Sequence, residues 1–286
     1  VSTGAFERLH PAVQYHVVNS LGWQRLRPQQ LAAIGPILAG CHCLVLALTA
    51  GGKTEAALLP VLSRMLTEDW RGLSVLYVCP IKALLNDLEH RLSRYAALVG
   101  RRVQVWHGDI GQGAKTRALR EPPDILLTTP ESLEGMLISR RLDRRAWFGA
   151  LRVAIVDELH AFAGDDRGWH LRAILGRLRS FAPGPIQRIG LSATIGNPRE
   201  LLGWFTTGAD HVRSKPTWVP HRDTGVGVGY ASRTRPPRST RPGGYAMRTL
   251  RDRRRLIGSD PNRSDHVVGE PAPAGDAEVT IASSAT

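Results

Sequence analysis

The residues able to do chemistry fall into two groups. The first is Ala47-Leu48-Thr49-Ala50-Gly51-Gly52-Lys53-Thr54. An apolar run, Cys43 to Leu46, precedes it, and Glu55 to Met65 follows with helical periodicity. A buried strand, a Gly-rich turn, Gly-Lys-Thr and a helix together make a phosphate-binding loop. Successive backbone N–H groups and a helix N-terminus would face the phosphates, where the helix dipole favours negative charge. Thr49, Ala50, Gly51 and Gly52 would form the cradle. Lys53 would reach the β- and γ-phosphates of a nucleotide, and the Thr54 hydroxyl would ligate Mg²⁺. The alternative is a Gly-rich turn that binds nothing.

The second group lies about a hundred residues on. The apolar run Leu151 to Val156 ends in Asp157-Glu158-Leu159-His160. A carboxylate at the C-terminal end of a strand is where a doubly wound α/β fold meets its ligand. Asp157 would hold Mg²⁺ through water. Glu158 would orient the attacking water, because hydrolysis needs a positioned nucleophile and charge neutralisation. The alternative is an acidic N-cap to the next helix.

Both groups require a scaffold, and the hydrophobic pattern supplies one. Residues 13–21 and 28–39 read as helices. Strand-like runs follow at 43–47, 73–79, 102–106, 124–128, 151–156 and 186–191. Helical patterns lie between and after them, near 54–67, 81–98, 113–120, 131–139, 169–181 and 198–205. This alternation predicts a parallel sheet covered on both faces. The phosphate loop and the acidic group both follow strands, so both belong to one edge of the sheet.

These motifs resemble those of superfamily 2 helicases with a DExH box, over roughly Leu21 to Phe205. Leu26-Arg27-Pro28-Gln29-Gln30 resembles the segment whose glutamine, here Gln30, reads adenine. Pro80-Ile81-Lys82-Ala83-Leu84 resembles motif Ia, Thr128-Thr129-Pro130-Glu131-Ser132-Leu133 motif Ib, and Ser192-Ala193-Thr194 motif III. Within the superfamily, Asp157-Glu158-Leu159-His160-Ala161, Gly164, Arg167-Gly168 and Gly190 to Pro198 are similar to the Lhr (large helicase-related) branch.

The resemblance implies an α/β RecA-like fold, with ATP and Mg²⁺ as cofactors and single-stranded DNA or RNA as partner. It implies strand contacts from Lys82, Thr129 and Arg167, although Lys82 also reads as a solvated helix start and Arg167 as a helix-start charge. It implies that His160 couples the acidic box to Ser192 and Thr194; a buried, hydrogen-bonded histidine is the plainer reading. One departure stands out. The family's loop carries glycine where this chain has Ala50, which matters only if that position needs a left-handed backbone. In the family a second RecA-like domain clamps ATP and supplies arginines, worth roughly 10³–10⁵ in rate. None is recognisable in these 286 residues. The chain is expected to bind ATP, hydrolyse it slowly and not unwind a duplex alone. The rival readings are an ATP-switched nucleic-acid binder and a truncated, inactive fragment.

Composition sets the remaining bounds. The net charge is +13, but residues 213–265 carry 13 Arg/Lys against 4 Asp/Glu and hold most of it. The excess therefore says little about the folded domain. That stretch is rich in Arg, Pro, Gly, Ser and Thr and lacks apolar periodicity, which predicts no packed core. It reads as a basic tail, either disordered or non-native sequence or a genuine grip on nucleic acid. The expected division is a domain over 1–212 and a tail over 213–286. Cys41-His42-Cys43 has metal-like residue types but no second ligand pair, and reads as the entry to a strand. Three cysteines form no disulfide framework and suit a reducing cytoplasm. No run of 18 apolar residues suggests a membrane span. Seven tryptophans could serve as stacking platforms, but Trp23, Trp147, Trp169 and Trp204 sit at apolar helical positions or element ends and are expected to be buried; Trp106, at a strand end, reads as a core residue or else a strand contact.

Overall fold

Six short β-branched and leucine-rich runs form the strands that their hydrophobicity demands. They are β1 (Cys43–Leu46), β2 (Val75–Val78), β3 (Val103–Trp106), β4 (Ile125–Thr128), β5 (Val153–Val156) and β6 (Gln187–Ser192). A computed structural model describes residues 3–48, 50–193, 195–208 and 216–219. Within these, a seventh strand, β7 (Thr217–Val219), completes one sheet in the order β3-β4-β2-β5-β6-β1-β7. Every pairing is parallel. Parallel neighbours need crossover connections, and helices supply them, such as α6 (Gln112–Arg120) between β3 and β4; a short helix, α1 (Thr3–Phe6), comes first among the described residues.

The two-residue period of a strand divides the core between the two faces. Cys43, Val45, Val75, Tyr77 and Ile155 join one apolar cluster with α3 (Pro28–Leu38), α4 (Lys53–Thr67) and α5 (Lys82–Leu98). Leu44, Leu46, Leu76, Val78 and Val156 join a second cluster. It includes α7 (Pro130–Ile138), α8 (Arg144–Phe148), α9 (Asp166–Arg179) and α10 (Pro198–Thr206). Each fully buried Leu, Val or Ile contributes roughly 1.5–3 kcal/mol of transfer free energy. The two clusters cover the two faces of the sheet. Among the described residues no helix is long and apolar enough to cross a membrane.

Three features differ from the sequence expectations. The helix expected over 13–21 splits into α2 (Pro11–Tyr15) and a π-helical turn, His16–Ser20. The predicted domain end at 212 falls short, because Thr217–Val219 pairs with β1. Three residues are too few to show periodicity, and the basic stretch around them hides the strand. Apart from 216–219, residues 213–286 lie outside the described residues. Trp169 is 58% exposed rather than buried, with the Arg172 guanidinium 4.7 Å from its ring. Trp147 is buried, and the partly buried Trp106 packs edge-on against it.

Cys41-His42-Cys43 lies where the chain enters β1, with all three residues buried. His42 Nδ1 accepts the Arg188 backbone N–H. Burial first, then the nearby Arg188 charge, depress the His42 pKa to about 4. The residue is therefore a neutral acceptor joining β1 to β6.

Candidate nucleotide and nucleic-acid clefts

β1 ends at Leu46 opposite Ser192, the last residue of β6, and the chain then turns into the loop that precedes α4. Gly52 caps α4 in the left-handed region at φ 77°. That backbone conformation favours glycine, and a Cβ there would also displace the Gln30 amide, 2.5 Å away. The start of α3 holds this loop from outside. Arg27 donates to Ala50 O at 2.8 Å, Gln29 to Gly51 O, and Gln30 to Gly52 O at 3.3 Å. Gln30 Oε1 also accepts from its own helix cap, the Arg27 N–H, at 2.8 Å. The sequence reading identified Gln30 but missed Arg27 and Gln29. Their polar types just before an apolar helical run were the available signal.

Ala50 has φ 58°. The position does need a left-handed backbone, which costs an L-residue about 1–2 kcal/mol. Ala50→Gly removes that strain but adds unfolded-chain entropy of about 0.4–1 kcal/mol. The net expectation is a gain of up to ~1 kcal/mol, seen as a melting temperature raised by about 2–4 °C. An unchanged or lower melting temperature would show that the loop relaxes without strain.

Lys53 is 7% exposed. Its Nζ donates to Ala47 O at 3.2 Å and lies 3.7 Å from Glu158 Oε1. Thr54 Oγ1 accepts from Arg91 of α5 at 2.8 Å. Asp157 follows β5 and is also buried. Its Oδ2 accepts from the Tyr77 hydroxyl at 2.8 Å, and its Oδ1 from the Glu158 N–H at 2.9 Å. Desolvation raises the Asp157 pKa above the usual carboxylate value, with the Tyr77 and Glu158 hydrogen bonds opposing it. Burial thus penalises the ionised carboxylate, and a cation beside it would relieve that cost. Oxygen donors from Thr54 and Asp157 on one cleft suit a hard divalent ion such as Mg²⁺.

Glu158 has φ 46°, a left-handed backbone rare for such a residue. That turn points its carboxylate between Lys53 and His160, whose Nδ1 is 3.4 Å from Oε2. The same Nδ1 is 3.2 Å from Ser192 Oγ. His160 is part-exposed rather than buried, and it joins the acidic group to the end of β6. Thr49 and Thr194 lie outside the described residues. The loop, the start of α3, Leu84, Arg91, Asp157 and Glu158 enclose a cleft of about 620 Å³.

A second cleft, of about 860 Å³, opens beside it along the C-terminal ends of β2, β3 and β4. Lys82, Thr129 and Arg167 all line it. Thr129 is buried and caps α7, its Oγ1 accepting the Ser132 N–H at 3.4 Å. Lys82 Nζ pairs with Asp109 at 2.7 Å on the surface. Arg167 donates to Pro80 O at 2.7 Å and to Glu131 at 2.9 Å, so it ties the segments after β2 and β4 together. Gly168 lets α9 start against Phe162, whose carbonyl would collide with any Cβ at that position. Trp106, Leu119, Met136 and Leu142 give the cleft an apolar floor.

A two-cleft α/β domain of this kind has known counterparts. Residues 27–201 match the family model of the DEAD/DEAH box helicases. The chain belongs to that family. It is 40% identical over 194 residues to the Lhr helicase/probable uracil glycosylase of Mycolicibacterium smegmatis, an alignment covering 63% of this chain and 13% of that protein. It is 37% identical over 195 residues to the ATP-dependent helicase Lhr-Core of Methanothermobacter thermautotrophicus, covering 63% and 22%.

The structure of Mycobacterium smegmatis helicase Lhr bound to ssDNA and AMP-PNP superposes with a TM-score of 0.64 at 36% identity, covering 76% of this chain and 28% of that one. The DEAD-box helicase Mss116, at 18% identity and a TM-score of 0.64, shares the fold. The sheet is therefore RecA-like, and the domain is of the helicase family. The chain spans only 13% and 22% of the lengths of the two Lhr relatives.

Proposed function

We propose that the chain is the first motor domain of an ATP-dependent DNA or RNA helicase or translocase. The observation that carries this reading is the segment after β5. Asp157 and Glu158 line the first cleft, and Arg167, a short way on, lines the second. A change at the γ-phosphate end would reach the second cleft through a few residues of continuous backbone.

In this reading Gln30 meets the adenine edge, and the N–H groups from Ala50 to Thr54 surround the phosphates. Lys53 moves from Ala47 O and Glu158 to the β/γ-phosphates. Thr54 and Asp157 would hold Mg²⁺, which would supply charge neutralisation at the phosphates. Glu158, released from Lys53, orients a water and takes its proton. His160 then changes its share between Glu158 and Ser192, and so reports the nucleotide state to β6. Lys82 and Arg167 hold strand phosphates, and the α7 N-terminus capped by Thr129 adds its dipole; such contacts bind without reading sequence. The buried thiols Cys41, Cys43 and Cys79 suit a reducing compartment such as the cytoplasm.

The second cleft is tested by salt dependence. For single strands log K falls with log salt at about 0.7 per phosphate neutralised. Lys82→Ala is expected to lower the slope by about that amount and to weaken binding equally across oligonucleotide sequences. Anisotropy titrations over a salt series decide this. An unchanged slope would place the strand elsewhere.

A further inference from the structure

Most groups in the nucleotide cleft belong to motifs that face the ligand. Tyr77 does not. It is an interior residue of β2, fully buried, and its ring lies in the core cluster under α4 and α5. Its hydroxyl nevertheless donates to Asp157 Oδ2 at 2.8 Å. The other carboxylate oxygen is held by the Glu158 N–H at 2.9 Å. The two bonds together fix the rotation of the carboxylate about its Cβ–Cγ bond. Each oxygen still has a lone pair for a water or an ion.

We infer that Tyr77 is a positioning residue, whose hydroxyl sets the Asp157 carboxylate in the orientation that receives the divalent cation accompanying the nucleotide. The inference rests on the nucleotide-site reading above and adds a residue outside the loop and the acidic box. Two observations support it. Tyr77 lies in β2 opposite Ile155 of the neighbouring β5, and Asp157 follows β5 directly. The backbone ties the two segments as well, since the Asp157 N–H donates to Val78 O at 2.8 Å.

A purely structural tyrosine would serve the core through its ring, and phenylalanine would replace it. The positioning role separates the hydroxyl from the ring. The test is a titration of a fluorescent ATP analogue on the whole chain, with Mg²⁺ varied and also with Mg²⁺ chelated. Tyr77→Phe is expected to raise the Mg²⁺ concentration at half-maximal nucleotide binding about tenfold or more, the worth of a hydrogen bond to a charged group. Affinity in the absence of Mg²⁺ should stay as in the unmodified chain.

Two further replacements at position 77 guard against a folding defect. 4-Aminophenylalanine keeps a donor at the same place and should restore the Mg²⁺ midpoint. 4-Fluorophenylalanine has nearly the size of tyrosine but no donor, and should behave as phenylalanine does. Equal midpoints in all four chains would overturn the proposal. So would an equal loss of affinity with and without Mg²⁺, which would mark Tyr77 as a packing residue. A parent chain that binds no nucleotide would overturn the nucleotide-site reading itself, a result distinct from either of these.

Discussion

Lys53→Ala is expected to remove measurable binding of Mg·ATP. The ammonium is almost fully buried and has two partners in this structure, the Ala47 carbonyl and the Glu158 carboxylate. Both would be exchanged for phosphate oxygens, where each charge-assisted hydrogen bond contributes about 1.5–3 kcal/mol. Losing two of them weakens binding by roughly 10²–10⁴. A ligand at 100 times its dissociation constant stabilises a protein by about 2.7 kcal/mol, so thermal melting gives a direct reading. The unmodified chain should melt several degrees higher with saturating Mg·ATP, and the alanine variant should not shift. The free variant should melt close to the parent, because the alanine leaves the helix intact. An equal ligand-induced shift in both chains would end the phosphate-loop assignment.

Glu158→Gln is expected to separate binding from chemistry. The carboxylate is about 29% exposed in the cleft wall, and a left-handed backbone aims it there. Such strain persists only where the surroundings over-determine it, and it clusters at functional sites. The glutamine side chain would keep the size and a hydrogen-bonding oxygen but could not accept the water's proton. A general base contributes typically 10²–10⁴ in rate. Single-turnover phosphate release, with the chain in excess over ATP and single-stranded nucleic acid present, suits a domain expected to turn over slowly alone. The variant should bind nucleotide within about twofold of the parent and release phosphate at least ~100-fold more slowly. Equal release rates would mean that another group activates the water.

The residues that line the first cleft were largely legible in the sequence because they come in contiguous segments. Gly51-Gly52-Lys53-Thr54 carries its own strand and helix, and Asp157-Glu158 follows a run of six apolar and basic residues that ends a strand. The alternation of elements likewise made the parallel sheet readable. What escaped notice depends on contacts across the chain. Tyr77 and Asp157 are separated by 80 positions, and Arg91 reaches Thr54 over 37. Neither pair leaves a spacing signal. Position 50 shows the same limit in a local form: the sequence posed the question of a left-handed backbone, and only the φ of 58° answers it.

The second cleft was less legible than the first. Lys82, Thr129 and Arg167 do line one cleft, but each is engaged by a neighbour that the sequence did not indicate. Asp109 holds Lys82, Ser132 shares the Thr129 cap, and Glu131 and the Pro80 carbonyl hold Arg167. The Lys82–Asp109 pair is surface-exposed, and pairs of that kind are easily exchanged for a phosphate partner. Trp169 misled for a related reason. Its place in an α-helical pattern suggested burial, whereas the ring is exposed, with the Arg172 guanidinium over it.

The central claim is that this domain takes one Mg·nucleotide at the loop between β1 and α4. Isothermal titration of the chain with the non-hydrolysable analogue AMP-PNP tests it most directly. The account predicts saturable binding of one nucleotide per chain, strengthened by Mg²⁺ and displaced by ATP. No saturable heat with Mg²⁺ present, or binding that the Lys53→Ala substitution leaves undiminished, would contradict it.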